Sequence, residues 1–324
     1  MSMERLQLHL FQKDYIDKKE YSYISQLAVI TIKSLLPMMD EEANRIDYKR
    51  FTEEFKLWLD YRNGDNSSLL NCQGRVIHEI YWGEKDDSII SRIIPIVLAN
   101  KNYNIVEEEI IKNILFTTGN LQGLFEGLAL GYLLHILVNP STELEDLIKD
   151  MLIESLKDKI ISFSQKQYME KYQSYYRLTI ESYDGNFKVE FEREKLKLLN
   201  SLYSLVNNTY PALIDCLKVV EGNKGKSFIG QVLYNYLYRK DLEFQISDFH
   251  LSLGEYIINL RKSRIDPEKL KIKDYILPDI FSFEEGDSFY HSLLREVKVI
   301  KKEVKDKTLT SLIQTKTGMY LFRK

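Results

Sequence analysis

The chain predicts a mainly α-helical bundle carrying one inserted β-hairpin and a small C-terminal elaboration. Apolar residues recur at spacings of three and four through most of the 324 residues, the signature of amphipathic helices. Only 14 Gly and 6 Pro interrupt the chain, too few for a many-stranded β architecture. Strand-like alternation appears in just two short stretches.

Taken in order, Tyr23 to Leu36 places Ile24, Leu27, Ala28 and Leu35 on one helical face, and Pro37 closes it. Tyr48 to Tyr61 repeats Phe51, Phe55, Trp58 and Leu59 before Asn63-Gly64 stops it. Asp87 to Asn100 carries Ile89, Ile90, Ile93, Ile94 and Val97, with a kink expected at Pro95. Val106 to Phe116 follows. Leu121 to Val138 is apolar nearly all round, yet it holds Glu126 and His135 and is short for a bilayer. Gly123, Gly127 and Gly131 would let another helix approach closely, so this stretch reads as a buried central helix. His135 reads as a core histidine.

Ser141 to Glu145, after Pro140, looks like a helix start, and the helical pattern then runs towards Tyr168. Arg177 to Phe191 alternates as Leu178, Ile180, then Phe187, Val189, Phe191 around Asp184-Gly185, a hairpin signal. Leu196 to Val206, Pro211 to Val220, Ser227 to Tyr238 and Leu251 to Arg261 read as helices. A weaker hairpin pattern spans Thr308 to Phe322 around Lys316-Thr317-Gly318. No repeats or linkers appear. Residues 1–242 are expected to form the helical domain, with the hairpin inserted at about 176–192. Residues 243–324 are expected to form a C-terminal helical extension that ends in the second hairpin and packs on the same domain.

Hydrophobic content of 44% and charged content of 29% are those of a water-soluble globular chain. A formal net charge of −3 gives no electrostatic reason to expect nucleic acid or an anionic membrane. Charges scattered through Met1 to Lys19 fit no secretory leader, and a cytoplasmic protein is expected. Cys72 and Cys216 have apolar neighbours and read as two reduced thiols.

Four short blocks bear on function. They are Tyr21-Ser22-Tyr23-Ile24-Ser25-Gln26-Leu27-Ala28, Ser91-Arg92-Ile93-Ile94-Pro95, Thr117-Thr118-Gly119-Asn120 and Glu221-Gly222-Asn223-Lys224-Gly225-Lys226-Ser227. In this order they resemble the ADP-ribosylglycohydrolase family, whose members use paired magnesium ions to remove ADP-ribose from proteins. The resemblance runs from about Tyr21 to Tyr238 and implies an orthogonal helical bundle. The family's first block reads Tyr-Ser/Thr-Asp-Asp-Thr and its last reads Gly-Gly-Asp-Thr-Asp-Thr. Tyr23 and Ile24 occupy the places of the first aspartate pair, and Ser25 that of the Thr. In the last block at most Glu221 remains as a ligand, among Asn223, Lys224 and Lys226. Magnesium requires hard oxygen ligands, so the resemblance implies a degenerate metal site without magnesium, its charge reversed by lysine. Arg92 from the second block and Asp87 from the residues leading into it, and Thr118 and Asn120 from the third, would face the cleft or a ligand. Bland readings stand beside these: Arg92 bridging helices, and Asn120 capping the next helix.

Gly225-Lys226-Ser227 also invites a phosphate-loop reading. The motif needs a glycine where Val220 stands and a strand where the pattern is helical, so chance spacing explains it better. Three functions follow from the resemblance. The first is a catalytically inactive relative, with no catalytic or metal residues, acting as a protein-binding or regulatory module for an unknown protein partner. The second is a reader of an ADP-ribose-like ligand or nucleotide. The third is a divergent, metal-independent hydrolase using Glu126, Glu221 or Asp87 as acids.

Overall fold

In a computed structural model that describes residues 2–139, 149–205, 209–239, 243–305 and 308–324, helices account for most of the chain. They are α1 (Arg5–Lys18), α2 (Tyr23–Ser34), α3 (Tyr48–Tyr61), α4 (Ser67–Leu70), α5 (His78–Gly83), α6 (Ile89–Ala99), α7 (Tyr103–Thr117), α8 (Leu121–Val138), α9 (Lys149–Ser162), α10 (Gln165–Tyr172), α11 (Phe187–Ser204), α12 (Pro211–Val220), α13 (Phe228–Tyr238) and α14 (Asp248–Arg261). Among the described residues, two antiparallel sheets accompany the helices. One pairs β1 (Leu35–Met38) with β2 (Ala43–Ile46). The other runs in the order β3 (Ser288–His291), β4 (Arg295–Lys305), β5 (Thr308–Thr315), β6 (Gly318–Arg323). The protein is thus mainly α with small antiparallel sheets.

The centre is built from α6 and α8. Every residue of α6 is buried, with Pro95 inside the helix. Alone among the described residues, α8 has the length and apolarity of a membrane span, and most of it is buried within the helical body. Its glycines allow close approach: a Cβ at Gly127 would lie 2.6 Å from Ile114 Cδ1, and one at Gly131 would overlap Ile110, both on α7. Around this pair, α1 packs on α13 and α14, α2 on α3 and α6, and α11 on α8 and α9. Cys72 and Cys216 are both free thiols.

Several sequence expectations are corrected. The segment at 176–192 is not a hairpin: Ile180–Ser182 is a 3-10 turn, and α11 starts at Phe187. Phe187 and Phe191 are also four residues apart, and both are buried while Val189 between them is exposed. That is one helical face, and the Asn186 side chain caps it by accepting from the Lys188 and Val189 amides. The preceding loop is stitched to the body. The Arg177 amide donates to Tyr81 Oη at 3.0 Å, and its guanidinium donates to the Asn71 and Cys72 carbonyls.

Helix α2 ends at Ser34, and Pro37 lies in the short strand β1. The run towards Tyr168 is broken between α9 and α10, where Ser164 caps the second helix. The expected helix start at Ser141 to Glu145 lies outside the described residues, as does Val206. The Thr308 to Phe322 pattern forms β5 and β6, two strands of the four-stranded sheet, with Gly318 in the positive-φ conformation their turn needs. Helix α14 contributes Leu253, Ile257 and Leu260 to the main core, whereas the sheet has its own small cluster around Val297, Val299, Ile313 and Phe322.

Candidate functional site

Helix α2 begins at a tightly held cap. Asp14, buried in α1, accepts from the Ser22 hydroxyl at 2.5 Å and from the Ser22 and Ser25 amides at 2.9 and 3.3 Å. Ser22 Oγ in turn accepts from the Ile24 amide. This fixes Tyr23 and Ile24 on the first turn, where both line a cavity of about 350 Å³. Ser25 is fully buried behind them.

Opposite stands the segment before α6. Asp86 is fully buried and paired with the Arg92 guanidinium. It also accepts from the Ser88 amide and hydroxyl and from Asn66 Nδ2. Burial alone would raise the Asp86 pKa, but Arg92 and the hydrogen bonds prevail and hold it below the usual carboxylate range. Asp87 sits at the mouth, accepting from Tyr23 Oη at 3.1 and 3.2 Å and from Asn66 Nδ2 at 2.6 Å. Burial, then Asp87, Asp86 and Asp14, push the Tyr23 hydroxyl well above its ordinary pKa, so it stays a donor.

From α8 comes Glu126, 3% exposed, ion-paired with Lys85 at the cavity edge. The start of α13 supplies Ser227, Phe228 and Ile229. Asp215 organises that turn: one carboxylate oxygen accepts from the Lys226 amide at 2.8 Å and from the Ser227 amide and hydroxyl, both at 2.7 Å.

The structure therefore gathers Tyr23, Ile24, Asp87 and Glu126 around one cavity, and it does not gather the lysine-bearing loop there. Glu221, Asn223, Lys224 and Lys226 are exposed and are not among the lining residues. Asn223 donates to the Lys218 carbonyl and closes α12, and Lys226 uses its backbone amide rather than its ammonium. The expected charge reversal by Lys224 or Lys226 is thus corrected: the cation at the cavity is Lys85. Arg92 bridges α6 to α7, donating to Asn113 and Thr117 besides Asp86. Thr118 is buried and donates to the Tyr81 and Glu84 carbonyls, and Asn120 caps α8 by accepting from the Gly123 amide. His135 is only partly buried, against Asn139 and Tyr103, and burial followed by Arg261 lowers its pKa to about 4.

Sequence reasoning missed Asp14, Lys85, Asp86 and Asp215. Lys85-Asp86-Asp87 is visible as a charged triplet before an apolar helix, but Glu126, which pairs Lys85, and Tyr23, which bonds Asp87, lie far along the chain. A second, larger cavity of about 490 Å³ separates the start of α2 from β6, between Tyr21, Tyr61, His250 and Tyr320. Its His250 stacks on Tyr21 with ring centroids 3.7 Å apart, and burial lowers its pKa to about 4.

These residues do not fit a pair of magnesium ions. Such ions need several unencumbered oxygens. Here Tyr23 and Ile24 offer no carboxylate, Asp86 is committed to Arg92, and an ammonium lies on Glu126. Among the described residues, no three His, Cys, Asp or Glu side chains are grouped to hold a metal. Compared with known proteins, the chain matches no family model and no curated protein.

Proposed function

We propose that this chain is a non-hydrolytic binding protein on an ADP-ribosylglycohydrolase-like helical domain, its cleft kept and its chemistry lost. One observation carries the reading. Each carboxylate at the cavity already has a partner that opposes acid, base or metal duty: Arg92 for Asp86, Lys85 for Glu126, Tyr23 and Asn66 for Asp87. Glycoside hydrolysis needs two carboxyl groups acting across the scissile bond, one as acid and one as base or nucleophile. Arg92 and Lys85 occupy carboxylate oxygens that acid, base or metal work would need. The kept cavity and the well-capped helix starts around it support binding as the remaining role.

Two measurements test this. Millimolar magnesium should leave the melting temperature unchanged, because an ion that does not bind the native state cannot shift its stability. Proteins ADP-ribosylated on Arg or Ser should release no ADP-ribose above a boiled control, with or without magnesium. Saturable stabilisation by magnesium, or turnover abolished by Glu126→Gln, defeats the reading.

A further inference from the structure

We infer that the cavity between Tyr23 and Glu126 binds a small organic monocation, an ammonium or amidinium group on an apolar body. This rests on the non-hydrolytic reading and names the ligand class for that same cleft. The cavity, about 350 Å³, falls in the size range of small-molecule sites. Ile24, Leu130 and Phe228 form apolar wall, while Asp87, Glu126 and Lys85 supply the charge. An apolar body with one polar end matches that division.

The sign of the polar end follows from the charges. Asp86, Asp87 and Glu126 stand against Lys85 and Arg92, so three carboxylates meet two cations and one negative charge remains. Glu126 adds an independent pointer. It is 3% exposed and lines the cavity; Oε2 takes Lys85, and Oε1 has no hydrogen-bond partner. A buried carboxylate oxygen without a donor is costly; Oε1 is itself closed to water, so a small turn of the Glu126 side chain presents it to a ligand N–H, and the charge-assisted bond then removes the cost. Burial first, and then the surrounding carboxylates, keep the Tyr23 proton in place, which agrees with that field. A diphosphate such as that of ADP-ribose would enter against this field, and a monocation enters with it.

The test uses the full chain and three near-isosteric probes: benzylamine, benzyl alcohol and benzoate. Calorimetric titration should show saturable binding of benzylamine, at least about tenfold weaker binding of benzyl alcohol, and none of benzoate. Glu126→Gln keeps the side-chain shape and should erase the preference for the amine over the alcohol. Asp87→Asn, at the exposed mouth, should reduce that preference in a variant whose core is untouched, which covers the case of a poorly folded Glu126→Gln. The inference is overturned if no probe binds at millimolar concentration or if amine and alcohol bind alike. It is equally overturned if both variants retain the amine preference, or if ADP-ribose binds more tightly than benzylamine. Failure of the amines leaves the non-hydrolytic reading standing, whereas release of ADP-ribose defeats that reading whatever the amines do.

Discussion

Arg92 and Asp86 show how a residue can look like a ligand contact and serve as a brace. Both side chains are fully buried, and the guanidinium also reaches Asn113 and Thr117, tying α6 to α7. Replacing such a pair with apolar groups can be neutral, but removing one partner strands a buried charge. Arg92→Ala should therefore cost about 3–5 kcal/mol at neutral pH. The pH dependence has a definite sign. The folded Asp86 carboxyl is held below its ordinary pKa, so its contribution is present above about pH 4 and fades as pH falls through the folded value. The stability gap between wild type and Arg92→Ala should then narrow towards acid pH. Urea titrations at neutral pH and near pH 3 check this, and a gap that widens in acid would contradict the assignment.

Among the elements, the turn from α12 to α13 has the most particular backbone. A Cβ on Gly225 would overlap the backbone of Gly230, while one on Gly222 would meet open space. Gly222 has a positive φ of 91°, so its alanine variant bears only backbone strain, roughly 1–2 kcal/mol. Gly225→Ala must push two chain segments apart and should cost more than Gly222→Ala in a urea midpoint comparison. Equal costs would mean that the close packing at Gly225 is not what holds the turn. This turn also explains what could be read from sequence. The helices α3, α8 and α12 were legible end to end because local signals agreed: an apolar period with Asp47 capping in α3, an apolar run behind Asn120 in α8, and Pro211 at the start of α12. The Phe187 to Phe191 pattern misled because period two and period four coincide over five residues. At the cavity, Tyr23, Ile24 and Asp87 stood out through the block resemblance, and Glu126 as a carboxylate inside an apolar helix. The outward turn of Lys224 and Lys226 did not, because it depends on Asp215 binding backbone amides across eleven and twelve residues. No local pattern announces the pairing of Lys85 with Glu126 either.

At the scale of the molecule, the described residues form two cores of unequal size. The large one runs through the helical body from Leu6 to Leu260. The small one, beneath the four-stranded sheet, comprises Ile280, Phe281, Leu294, Val297, Val299, Ile313 and Phe322. The sheet is joined to α3 by apolar contact, with Tyr61 against Tyr320 and Phe322 at centroid distances of 5.1 and 5.3 Å. A polar tie sits alongside: Lys33 Nζ bonds Glu54 at 2.6 Å and the Leu293 carbonyl at 3.2 Å. Burial lowers the Lys33 pKa against the pull of Glu54. A unit that rests on few buried apolar contacts opens at lower free energy than the body it leans on. Hydrogen exchange should therefore release the amides of β3 to β6 before those of α6 and α8. Tyr61→Ala removes the aromatic contact from the helix side and should speed exchange across the sheet while α8 keeps its protection. If sheet and α8 exchange together in both proteins, the sheet is part of one cooperative unit and the two-core description fails. If Tyr61→Ala loosens α8 as well, then α3 carries the sheet's stabilisation into the body, and the 490 Å³ cavity between them belongs to the core rather than to a joint.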